Sequence, residues 1–198
     1  NQGNYLEAVN CYQRALSLTP NDTEVHRNLG MVFYLQSRFT EAIDCYQRAL
    51  ALNPSEVETY RNIGILFYEL GYYQEAIDFY QRALIIDPQQ VKIHNNLGST
   101  LMKLGHLTEA VACFQHALSL NPNDAGVYNN LGLTCRDMGR LAEAIEHFRT
   151  GLELNPLVFL YSNLLLTLNY ATNYDTTMIF AEHQRFDEQY AKPLPVFA

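Results

Sequence analysis

Five prolines recur at a constant 34-residue step, Pro20, Pro54, Pro88, Pro122 and Pro156, and four glycines keep the same step at Gly30, Gly64, Gly98 and Gly132. Five alanines do likewise, at Ala8, Ala42, Ala76, Ala110 and Ala144. A fixed period of this length marks one helix-turn-helix unit stacked on copies of itself. It predicts an all-α chain, and it turns the functional question from a pocket for chemistry to a surface that holds something.

Inside each period the residues read as two helices. The first carries Leu29-Gly30, Ile63-Gly64, Leu97-Gly98 or Leu131-Gly132. Glycine within a helix costs about 1 kcal/mol against alanine, so a glycine held at one register in four units implies close helix approach, where a Cβ would clash. A turn follows at Ser37, Gly71, Gly105 and Gly139, positions suited to a left-handed helix cap. In the second helix, Ala42, Ala76, Ala110 and Ala144 precede by four an aromatic (Tyr46, Tyr80, Phe114, Phe148), and a small residue comes three later (Ala49, Ala83, Ala117, Gly151). Those spacings share one apolar face. Asn53-Pro54, Asp87-Pro88, Asn121-Pro122 and Asn155-Pro156 then stop the helix, because the residue before proline is driven to extended backbone.

These residues resemble the tetratricopeptide repeat (TPR), with His26, Tyr60, His94 and Tyr128 where that family commonly has Trp; the chain has no Trp. The resemblance implies a right-handed superhelical solenoid. The expected boundaries are a half repeat at 1–22, whole repeats at 23–56, 57–90, 91–124 and 125–158, and a helical cap or linker at 159–198. The chain starts in mid-repeat, at Asn1, and is expected to be a fragment of a longer protein.

Composition limits the partners. With 48% hydrophobic and 17% charged residues the chain is of the folded class. Its net charge of −8 disfavours nucleic acid and anionic membrane surfaces, which are bound through Lys and Arg. The apolar run Leu157–Leu168, interrupted by Ser162 and Asn163, is too short to span a bilayer. Of four cysteines, Cys11, Cys45 and Cys113 share one register and Cys135 occupies another. Equivalent positions in stacked repeats are about 8–10 Å apart, beyond disulfide reach. They read as small apolar fillers in a reducing compartment, which points to the cytoplasm.

After Pro156 the pattern decays. Leu157–Tyr170 reads as an amphipathic helix, Ala171–Asp175 as a polar break, Thr176–Ala191 as a further helix and Lys192-Pro193-Leu194-Pro195 as extended chain. Two helices here would cover the apolar side of the last repeat, as solenoids require. The segments Ser162–Tyr170 and Ile179–Phe186 resemble the stretch joining the repeats to the catalytic region in bacterial SPINDLY-like, O-GlcNAc-transferase-type glycosyltransferases, with Phe186 where Trp is common there. That resemblance implies a recruiting arm whose sugar-nucleotide site lies beyond Ala198. The alternative is a free-standing TPR adaptor with a similar cap.

No catalytic motif is present. There is no Gly-x-Gly-x-x-Gly, phosphate loop, His-Glu-x-x-His or Gly-x-Ser-x-Gly. His147 and His183 have no metal-ligand spacing around them, and Asp87 and Glu109 read as solvated carboxylates. No cofactor, metal or catalytic residue is expected.

The informative constellation lies on the first helices. At about 100° per residue, the Leu/Ile, the Gly and the His/Tyr four before it should point into the core. The opposite face then carries Asn28, Asn62, Asn96 and Asn130 two before each glycine, and Arg27, Arg61, Asn95 and Asn129 three before it. Met31, Ile65, Ser99 and Leu133 come one after it, with Glu58, Glu69, Lys92 and Lys103 nearby. In the TPR family this face lines a concave groove. A primary amide offers two donors and an acceptor, matching a peptide unit, and repeats about 10 Å apart would present one amide per roughly three residues of extended chain. Met31, Ile65 and Leu133 would add apolar contact. The amides also suit a second role, bonding one repeat to the next. Chaperone-type carboxylate clamps need an Arg where Asn96 stands beside Lys92, so that partner is disfavoured. The expected partner is a protein or extended peptide in the groove, with self-association possible through the apolar flank of the broken first repeat.

Overall fold

The structure is a computed structural model in which residues 2–171 and 175–188 are described. Among these residues the regular elements are helices: α1 (Gln2–Leu18), α2 (Thr23–Leu35), α3 (Phe39–Leu52), α4 (Val57–Glu69), α5 (Tyr73–Ile86), α6 (Val91–Lys103), α7 (Leu107–Leu120), α8 (Ala125–Asp137), α9 (Leu141–Leu154), α10 (Val158–Leu168) and α11 (Thr176–Phe186). The chain divides into two units, 1–100 and 101–198, the division falling within α6.

In the first unit α2 pairs with α3 and α4 with α5, while α4 also packs on α2 and α3. Glycine makes the pairing possible: a Cβ on Gly64 would lie 2.5 Å from the Tyr80 ring, and one on Gly30 would lie 2.7 Å from that of Tyr46. Both tyrosines are fully buried, flanked by Ala42 and Ala49 or by Ala76 and Ala83, which are sealed completely. Val9, Leu29, Val32, Phe33, Ile63 and Leu66 pack with Ala42 and Tyr46 in one buried cluster. Burying each such large side chain contributes about 1.5–3 kcal/mol.

The hairpin turns have the backbone expected of them. Gly71 has φ +80°, and Ser37, at the same register, φ +59°. A non-glycine residue there costs about 1–2 kcal/mol; hydrogen bonds from the N–H of Ser37 to Tyr34 (2.8 Å) and from that of Arg38 to Phe33 (2.9 Å) hold it. Three of the first helices, α2, α4 and α8, are capped at their starts by acidic side chains. Asp22 Oδ1 accepts from the Val25 N–H, Glu56 Oε2 from Thr59, and Asp124 Oδ1 from Gly126 and Val127. The second helices end on extended Asn53, Asp87, Asn121 and Asn155.

In the second unit α8 packs between α7 and α9, and a Cβ on Gly132 would lie 2.6 Å from the Phe148 ring. Helix α10 packs on α9 and α8, and α11 on α10. The repeat persists in α10 at a step of 33. Thr134 Oγ1 donates to the Asn130 carbonyl and Thr167 Oγ1 to that of Asn163, each at 2.7 Å. Val127 and Leu160 are equally sealed, as are Leu131 and Leu164. Leu165 stands where Gly132 stands in α8, so α10 keeps the burial pattern of a first helix without its glycine. Glu182 of α11 is buried and approaches Arg149 of α9 (3.4 Å), the Tyr161 hydroxyl of α10 (3.4 Å) and Arg185 (3.2 Å).

One expectation changes. The His/Tyr positions are not core: His26, Tyr60, His94 and Tyr128 are half-buried. His26 and His94 reach back along the chain, their Nε2–H donating to the carbonyls of Pro20 and Pro88 at 2.9 Å. An imidazole is better placed at the repeat seam, where that carbonyl satisfies it, than among apolar side chains. Helix α11 is α-helical over Thr176–Phe186 and continues as a π-helical turn at 187–188; residues 189–198, with the expected helix end at Ala191 and the Lys192–Pro195 stretch, and residues 172–174 of the expected polar break lie outside the described residues.

Candidate functional site

The face opposite the core is built differently in the two units. In residues 1–100 it carries Asn28, Asn62 and Asn96, with Met31, Ile65 and Asn95, all half-buried except Asn62, which is 5% exposed. The Asn62 Oδ1 atom is sealed from solvent and has no hydrogen-bond donor among the described residues. Asn28 Oδ1 receives a long contact from Arg27 Nη2, at 3.4 Å.

The two arginines of this face are held in ion pairs. Arg27 Nη1 donates to Glu56 Oε1 at 2.6 Å and Nη2 to Glu24 at 3.4 Å. Arg61 donates through Nε (2.8 Å) and Nη2 (2.6 Å) to Glu58 Oε2. Both are about one-fifth exposed, so each presents a neutralised guanidinium edge rather than a free positive charge.

A cleft of about 290 Å³ opens on this face, lined by Ile65, Tyr68 and Glu69 of α4, Tyr80 of α5, and Asn96 and Ser99 of α6. Burial, and then Tyr73 and Glu69, hold the Tyr68 phenol above its ordinary range. Burial dominates again at Tyr80 and at Tyr46, both pushed well up. Burial followed by Glu69 does the same at Tyr34. These phenols stay protonated at neutral pH. Glu69 itself is exposed and forms no ion pair among the described residues.

In residues 101–198 the amides bond to one another. Asn129 is buried, its Oδ1 accepting from Asn163 Nδ2 at 2.8 Å and its Nδ2 donating to Asn130 Oδ1 at 3.3 Å. Leu133 is half-buried beside them in sequence. Sequence reasoning missed Asn163 as a member of this set; its signal was its place 33 residues after Asn130. It also missed Tyr68 and Tyr80, because their contribution to the cleft comes from helix packing and not from the register of the glycine.

Cys45 and Cys113 are half-buried and burial pushes both thiols up to about 11; Cys135 is buried and also raised, and Cys11 is exposed. Burial lowers the His147 pKa, the ring lying 6.3 Å from that of Tyr128, while His183 is exposed. Among the described residues no three His, Cys, Asp or Glu side chains cluster as a metal site, and no helix is long and apolar enough to cross a membrane.

Comparison with known proteins gives one family. The tetratricopeptide repeat profile matches residues 22–89 and 89–156, and a related TPR repeat profile matches 1–37. No curated protein sequence matches the chain. Among solved structures, MamA is 23% identical with a TM-score of 0.76, the match covering 89% of this chain and 97% of MamA. YrrB, described as a TPR protein with an unusual peptide-binding site, is 23% identical with a TM-score of 0.71, covering 92% and 98%. PilF of Pseudomonas aeruginosa is 21% identical with a TM-score of 0.80, covering 96% and 86%. At these identities the likeness is one of fold.

Proposed function

The chain belongs to the tetratricopeptide repeat family and is a helical scaffold for protein interaction; we propose that the face of residues 1–100 bearing Asn28, Asn62 and Asn96 holds an extended segment of a partner protein. The observation that carries this is the Asn62 carbonyl oxygen. A buried acceptor without a donor costs about 1–3 kcal/mol, and the corresponding region of residues 101–198 avoids that cost through the Asn129–Asn163 bond. Rotation about the soft χ2 of asparagine offers the Asn62 amide to a peptide unit without breaking any hydrogen bond. YrrB's described peptide-binding site supports the same use of this fold. No part of the reading needs a catalytic residue or a cofactor.

The test is Asn62→Ala with Asn96→Ala, assayed by capture of a phage-displayed pool of random dodecapeptides. The expected result is at least a tenfold loss of capture with folding stability within about 1 kcal/mol of the parent. A large fall in Tm with unchanged capture would assign the amides to structure alone.

A second reading places the scaffold in a larger enzyme. The resemblance of Ser162–Tyr170 and Ile179–Phe186 to the linker of O-GlcNAc-transferase-type glycosyltransferases favours a substrate-recruiting arm, which would raise the effective concentration of a held segment beside a catalytic region. The rival is a free-standing adaptor. Reading the gene past the Ala198 codon separates them: a sugar-nucleotide-binding α/β pattern supports the arm, and a prompt stop codon supports the adaptor. Self-association through α1, where Leu6 and Leu18 are exposed, would show as a concentration-dependent mass in sedimentation.

A further inference from the structure

We infer that the cleft formed by Ile65, Tyr68, Glu69, Tyr80, Asn96 and Ser99 takes the side chain of an arginine or lysine, so that the partner presents a basic residue within its extended segment. This rests on the reading that the face captures peptide, and adds the chemistry of one subsite.

The size comes first. At about 290 Å³ the cleft falls at or below the range for drug-sized ligands, and suits a single side chain. Its walls suit a long stem with a polar tip. Ile65 and the Tyr68 ring offer apolar and aromatic surface, against which the methylenes of Lys or Arg pack while the charged head stays solvated. A cation over a tyrosine face gains about 0.5–2 kcal/mol.

The polar groups then choose the sign of the tip. Ser99 gives its one hydroxyl proton to the Asn95 carbonyl, at 2.9 Å, and so has no donor to offer an acidic tip. Glu69 is an acceptor with a full negative charge, and its field reaches Tyr34, Tyr68 and Tyr80. The other acids of this face are already matched: Glu24 and Glu56 with Arg27, Glu58 with Arg61. Of these four, Glu69 alone has no cation partner among the described residues. An acidic tip would meet like charge, and an apolar one would strip water from a carboxylate without replacing it. A guanidinium or ammonium supplies donors and opposite charge together, and the chain's net charge of −8 steers a basic segment toward it.

The experiment is selection of phage-displayed random dodecapeptides on the wild-type protein, on Glu69→Gln and on Glu69→Lys, with circular dichroism of each variant as the folding control. On the wild type, Arg or Lys is expected to be enriched at least fivefold over the unselected library at one position of the aligned binders. That enrichment should vanish on Glu69→Gln and give way to Asp or Glu on Glu69→Lys; if Glu69→Lys does not fold, Glu69→Gln decides alone. Binders without basic enrichment, or with the same enrichment on the variants, overturn the subsite while leaving peptide capture standing. No peptide retained above bare support overturns peptide capture, and the subsite with it.

Discussion

Arg27 on α2 and Glu56 at the start of α4 lie 2.6 Å apart, and the second oxygen of the same carboxylate accepts the Thr59 N–H, also at 2.6 Å. One side chain thus caps a helix and ties it to the preceding repeat. Removing an N-cap costs about 0.5–2 kcal/mol, and Arg27, only 21% exposed, is left with the distant Glu24. Glu56→Ala is expected to lower the unfolding free energy by about 2 kcal/mol in urea titration, with Glu56→Gln recovering part of it. A change below about 0.5 kcal/mol would mean the pair is an ordinary surface contact.

Gly64 sets the spacing of α4 and α5. A methyl group there meets the buried Tyr80 ring at 2.5 Å, and overpacking of this kind costs about 1–3 kcal/mol, outweighing the gain in helix propensity of about 1 kcal/mol. Gly64→Ala should therefore lower Tm. A rise would show that the ring moves aside freely.

The amides of the two units should respond oppositely. Asn163→Ala leaves the buried Asn129 oxygen without its donor and should cost about 1–2 kcal/mol. Asn62→Leu removes an acceptor that has no donor to lose, so stability should hold or rise by up to about 1 kcal/mol. Equal losses at both sites, measured by thermal unfolding, would contradict the contrast.

Glu182 fastens α11 to α9 and α10. With Arg149 and Arg185 partly exposed the three contacts together are worth roughly 1–2 kcal/mol. Glu182→Ala should speed trypsin cleavage after Arg185 several-fold while α8 and α9 keep their hydrogen-exchange protection. Unchanged cleavage would show α11 held by apolar contacts alone.

The thiols give a pH signature. Cys45 and Cys113 have folded pKa values of about 11, raised first by burial, from an ordinary value of 9.0. A thiol whose folded pKa is raised favours the folded state below the ordinary value and loses that contribution as pH climbs toward the folded one. Tm should fall between about pH 9 and pH 11, and less so in Cys45→Ala with Cys113→Ala. At pH 8 a disulfide reagent should modify exposed Cys11 first, with the other three reacting only on unfolding.

Much of this was legible from one line of residues. The periodic glycines, alanines and aromatics announced the helix pairs, and Ser37 at a glycine register foretold its positive φ. Helix geometry led to the expectation of a face bearing Asn28, Asn62 and Asn96 opposite the core; it did not foresee that Asn62 is buried. The seam role of His26 and His94 did not, because a helical wheel gives direction but not what waits there. The repeat in α10 was hidden by the loss of one residue from the step and by Leu165 in place of glycine.

The sequence by itself determined the helices, their turns and the stacking, because these depend on sterics between residues a few positions apart, repeated until only one packing satisfies them all. Tertiary structure alone decided which polar groups are spent and which are left over. Arg27 finds Glu56 across 29 residues and Asn163 finds Asn129 across 34, while Asn62 and Glu69 find no comparable partner among the described residues. Hydrogen bonds and ion pairs are settled within fractions of an ångström, and that distance is fixed only when the helices have packed.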